Sequence, residues 1–94
     1  MSNDIKISDE YLEALDNYYT NQLWIASMEL TRAYRQKRKN SMQISDCMIM
    51  QLSDILEEIR MREGLSPDGK IKLIEYVYDS YKAAIENIKK EVSK

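Results

Sequence analysis

The stretch SPDGKIKLIEYVYDSYKAAIENIKKEV, residues 66–92, decides the fold. It opens with three helix-start signals in order. Ser66 offers an N-cap oxygen, Pro67 suits the first helical position, and Asp68 favours the positive end of the helix dipole. From Ile71 onward, apolar or aromatic residues return at alternating steps of three and four: Ile71, Ile74, Tyr78, Tyr81, Ile85, Ile88 and Val92. An unbroken heptad seam of this kind predicts a helix over 67–92 with those seven side chains in the core. A weaker face of the same spacing, Leu73, Tyr76, Ser80, Ala83 and Asn87, lies behind it. Its small residues permit close approach of another helix.

Two further helices precede this one. Gly64 is a natural C′ residue, and Ser45 followed by Asp46 reads as a helix start, so a second helix is expected over 45–63 after a loop at 40–44. Its core side is Met48, Leu52, Ile55, Leu56 and Ile59, while Met50 and Met61 point away from it. A first helix is expected over 9–39, with Ser8 as N-cap and Asp9 and Glu10 in the first turn. Five cations, Arg32, Arg35, Lys37, Arg38 and Lys39, suit its negative end. Its core stripe is Leu12, Leu15, Tyr19, Leu23, Ala26, Leu30 and Ala33. Residues 1–7 read as a disordered tail. Residues 17–21 are weak helix formers, so a break of helix one there is the alternative. No strand-like alternation, repeat or low-complexity segment is present. The reading is all-α: a single domain, 1–94, as a three-helix antiparallel up-down-up bundle with coiled-coil-like packing.

Composition limits what such a bundle can do. The chain has 94 residues, 44% of them apolar, which is a small core. Fourteen Lys and Arg against 16 Asp and Glu give a net charge of -2, which argues against a bulk polyanion binder and against a DNA mimic. With no His and one Cys, a His-ligated metal site, a His general base and an internal disulfide framework are excluded. No Gly-rich phosphate loop or nucleophile motif occurs, and the sequence neighbours of Cys47 include Asp46 but no cation. No enzyme, cofactor or metal is expected. MSNDIKISDE lacks a positively charged region followed by an apolar run, so it does not read as a signal peptide. The longest uncharged stretch, 17–28, is too short and too polar to span a membrane. With the lone cysteine, this makes a cytoplasmic protein the expectation.

The bundle core leaves one set of residues unexplained. Stepping 100° per residue from Leu23 places Ala14, Tyr18, Asn21, Ile25 and Met28 on the opposite side of helix one, with Trp24 on the flank. The middle of the helix is thus apolar almost all round, and such a helix is buried all round. Asn21 suits a register-setting polar position. The aromatic content, 7 Tyr, 1 Trp and 0 Phe, favours rings with a polar tip, which suit interfaces. These six residues are therefore the expected protein interface, and the first expected partner is a second copy in a homodimer, antiparallel through helix one, with Glu10 and Glu13 of one chain near Arg35 and Arg38 of the other.

Charge is unevenly spread. Residues 32–39 carry +5 between segments of -5 (1–31) and -4 (40–69). Arg32, Tyr34, Arg35, Arg38 and Lys39 are the candidate contacts for an anion or nucleic acid, because Arg binds phosphate oxygens bidentately. The structural reading is a solvated helix end. Size and make-up are those of small helical accessory proteins, such as phage-encoded inhibitors, bacteriocin immunity proteins and secretion chaperones. The expected function is a non-enzymatic interaction module that acts by binding a partner protein. A nucleic-acid or nucleotide binder is the alternative.

Overall fold

The computed structural model describes residues 2–93, with side chains from Glu10 onward. Three helices follow one another: α1 (Ser2–Arg35), α2 (Ser41–Met61) and α3 (Pro67–Val92), with no strand among the described residues. They pack as a bundle with Cα extents of 53 × 20 × 14 Å. The long dimension matches the length of a 34-residue helix, about 51 Å. α1 is the central element. It packs most extensively on α3, less on α2, and the α2–α3 contact is the slightest of the three.

α1 is one continuous helix, so the break considered near 17–21 is absent. Tertiary contacts overcome the weak propensity of this segment. Tyr19 is fully buried, and the Thr20 hydroxyl bonds both the Asp16 carboxylate, at 3.1 Å, and Ser80 Oγ of α3, at 2.8 Å. The helix begins at Ser2 rather than at Ser8, because no Gly or Pro upstream stops it. The tail expected over 1–7 is described only by its helical backbone from Ser2. The helix ends at Arg35, not Lys39. Lys37 takes a left-handed conformation (φ 60°), and the Arg38 and Lys39 amides turn back to the Ala33 carbonyl at 2.8 and 3.4 Å.

α2 starts four residues earlier than expected. Asn40, not Ser45, is its cap. The Asn40 side chain accepts from the Gln43 amide, and the Gln43 side chain accepts from the Asn40 amide, each at 2.9 Å. The supposed loop at 40–44 thus carries a helical turn, and Ile44 enters the core. At the other end α2 stops at Met61, where Arg62 turns extended. Lys70 Nζ of α3 then reaches the exposed Arg60 carbonyl, at 2.8 Å. α3 has the expected bounds, with Ser66 Oγ accepting from the Gly69 amide at 3.0 Å and Pro67 in the first turn.

The core comprises Leu12, Leu15, Tyr19, Leu23 and Leu30 of α1, Ile44, Met48, Ile55 and Ile59 of α2, and Leu73, Val77, Ala84 and Ile88 of α3. The α1 stripe is as expected. On α2, Leu52 packs against the core only in part, and Leu56, also expected there, is half-buried outside it. On α3 the expectation is corrected. Leu73, assigned to the weaker face, is fully buried, whereas Ile71 is 57% exposed and Ile74 and Tyr78 are also exposed. Ile88 holds from the heptad seam; Tyr81, Ile85 and Val92 are half-buried beside the core. The reason is size. Gly69, Ser80 and Ala84 allow α3 to lie close against α1, where Ser27 and Thr31 are buried. The bulkier seam residues are left on the shoulder beside α2. Ser27 and Thr31 donate to backbone carbonyls of their own helix, at 2.8 Å each, so burial leaves them satisfied.

Candidate interaction site

The outer face of α1 is where the bundle stops. Ala14, Tyr18, Asn21, Ile25 and Met28 are all exposed, on the side of α1 away from the core. Ile25 is 56% exposed, Met28 59% and Tyr18 48%. Trp24 is half-buried on the flank. Because α1 is unbroken, these side chains form one straight stripe. Glu10 and Arg32, both exposed, sit at its two ends. Tyr18 is steadied from below by a tilted ring contact with Tyr19, with centroids 5.1 Å apart.

The five candidate anion contacts are divided. Arg32 continues the outer stripe, four residues after Met28. Tyr34, Arg35, Arg38 and Lys39 line an open groove of about 500 Å³ together with Lys37, Asn40 and Gln43, where the chain turns from α1 into α2. The left-handed Lys37 makes this turn and bends the basic run back across the start of α2. Two of the cations are engaged within the protein. Arg35 pairs with Glu91 of α3, and Arg38 Nε bonds the Gln36 side chain at 2.8 Å.

Sequence reasoning missed two features. The first is the α2–α3 shoulder, where Ile71, Ile74 and Tyr78 of α3 are exposed, as is Ile49 of α2. They were counted as core or passed over, since periodicity shows a stripe without showing what covers it. The second is a polar junction between α1 and the end of α2. The Arg62 guanidinium donates to Tyr19 Oη at 2.9 Å and to Tyr11 Oη at 3.1 Å, and lies 3.7 Å from a Glu58 carboxylate oxygen. Tyr19 in turn donates to Glu58 at 3.2 Å. Burial raises the Tyr19 pKa, an effect that the neighbouring Arg62 opposes. The hydrogen bonds to Tyr19 and Tyr11 raise the Arg62 pKa. This junction ties the end of α2 to α1, and no buried side-chain polar atom is unpaired among the described residues.

No known family model matches the chain, and no curated protein or solved structure is significantly similar to it. Among the described residues, no three His, Cys, Asp or Glu side chains come together as metal ligands do, and no helix is long and apolar enough to cross a membrane.

Proposed function

We propose that this chain is a non-enzymatic helical interaction module that forms a homodimer through the outer face of α1 and acts by binding a partner protein. The observation that carries the reading is the straight row of exposed Tyr18, Ile25 and Met28 on a helix whose other side already fills the core. Leaving such side chains in water forgoes burial worth about 1.5–3 kcal/mol for each large residue fully covered. A two-fold pairing covers the row twice over. An up-down-up course of the bundle belongs to the same reading. It is supported by Thr20 meeting Ser80 and Arg35 meeting Glu91, as in two helices that run the same way, and by Tyr11 and Tyr19 both reaching back to Arg62 at the end of α2. With α1 paired, the exposed Ile71, Ile74 and Tyr78 of α3 offer an apolar surface for the partner protein, in the manner of a small inhibitor or accessory protein, phage-type by analogy of size alone. A cytoplasmic setting accords with the single free Cys47.

The test is the dependence of the thermal midpoint on protein concentration. A dimer's midpoint rises with concentration. Wild type is expected to show this rise, and Ile25→Glu to lose it while remaining helical by circular dichroism. A concentration-independent wild-type midpoint refutes the dimer.

The groove at the α1–α2 turn favours a second reading, binding of a nucleic acid or nucleotide. Four cations and Tyr34 line it. Replacing Arg32, Arg35 and Arg38 by Gln should then abolish oligonucleotide binding and flatten its salt dependence. Absence of wild-type binding at about 50 mM salt eliminates this reading.

A further inference from the structure

We infer that the two copies of α1 pair antiparallel about a two-fold axis at Asn21, with Glu10 of each copy meeting Arg32 of the other. The inference rests on the dimer reading above and fixes its geometry: Arg35 pairs with Glu91 and Arg38 lies beyond the end of α1, so the acidic start of one copy is set against Arg32 rather than Arg35 and Arg38. Glu10 and Arg32 stand eleven positions on either side of Asn21, and Ala14 and Met28 stand seven positions on either side. An antiparallel two-fold at Asn21 therefore sets Glu10 against Arg32 and Ala14 against Met28, and brings Tyr18 to within one residue of level with Ile25.

The faces agree as well as the spacing. Twenty-two residues at 100° each bring Glu10 and Arg32 within about 40° of one another around α1, on the outer side. The pairs match in size and charge: the smallest residue of the stripe meets the long, adaptable Met, and a carboxylate meets a guanidinium. Parallel pairing would set Arg32 beside Arg32 and Glu10 beside Glu10, and such like-charge contacts select against an orientation. At the axis Asn21 meets its own copy, and an amide, being both donor and acceptor, can bond itself across a two-fold. A broken α1 would have destroyed this register, whereas the continuous helix preserves it from end to end. The strip from Glu10 to Arg32 is about 33 Å long and one helix wide, which buries on the order of 1,000 Å² in total. That lies at the lower bound for a specific interface.

Cysteine cross-linking in a Cys47→Ser background tests the register. Helices packed about 8–10 Å apart bring facing Cα atoms to about 4–6 Å, within disulfide reach. Asn21→Cys is expected to form a covalent dimer under mild oxidation. Ala14→Cys and Met28→Cys should not do so alone, but the Ala14→Cys/Met28→Cys double variant should. All of these positions are exposed, so the substitutions leave the bundle intact. Cross-linking of every single variant shows parallel pairing and overturns the inference. No cross-linking by a protein that still sediments as a dimer overturns the register and leaves the dimer standing. No cross-linking by a monomer overturns both.

Discussion

Replacing Leu73 by Ala and, separately, Ile71 by Ala distinguishes the two faces of α3. Leu73 has no exposed surface, and its truncation leaves a cavity in the core cluster. Losses for such a change run to about 2–5 kcal/mol. Ile71 keeps 57% of its surface in water, so less than half of its burial is at stake, about 1 kcal/mol. Ala is also the better helix former and recovers a few tenths of a kcal/mol at that exposed position. Domains of this size are stable by about 5–15 kcal/mol, so Leu73→Ala removes a large fraction and Ile71→Ala a small one. Urea unfolding followed by circular dichroism, with all proteins at one concentration, measures the difference. A loss for Ile71→Ala equal to or greater than that for Leu73→Ala would show that the heptad seam, not the Leu73–Val77–Ala84 face, lies in the core.

Two other perturbations probe local devices. Asn40→Ala removes half of the capping box on α2 and should cost about 0.5–2 kcal/mol in the same urea assay; an unchanged midpoint would mean that α2 does not start there. Tyr19 has its pKa raised by burial, so the folded state holds the phenolic proton more tightly than the unfolded chain does. Its contribution is complete below about pH 10 and is lost as pH rises through the folded-state value. Wild type should therefore lose more stability than Tyr19→Phe as pH rises above about 10, and parallel losses would contradict the assignment.

What the sequence disclosed depended on how local the signal was. The start of α3 was legible because Ser66, Pro67 and Asp68 act within one turn. The core stripe of α1 was legible because its larger residues, such as Leu12 and Leu23, sit on one face. The α3 face was not, because that helix is apolar on two sides. The choice between them fell to Gly69, Ser80 and Ala84, whose small size matters only once α1 lies alongside. The Asn40–Gln43 box was present in the sequence, but Ser45 and Asp46 offered a competing start. Nothing in the sequence marks Lys37 as left-handed, since Gly is the usual residue there. The outer stripe of α1 was readable as a surplus of apolar residues over what one core can use, and the structure leaves Tyr18, Ile25 and Met28 exposed. The Arg62 junction was not readable, because it joins Arg62 to Tyr19 and Tyr11, 43 and 51 residues away.

Sedimentation equilibrium of the wild-type protein across the micromolar range tests the central claim most directly. The chain mass is 11.1 kDa. Self-association through α1 predicts a weight-average mass that climbs toward twice that value with concentration, and an Ile25→Glu variant that stays at the chain mass. A wild-type protein that remains at the chain mass throughout would contradict the claim and leave the α1 stripe to a different molecule.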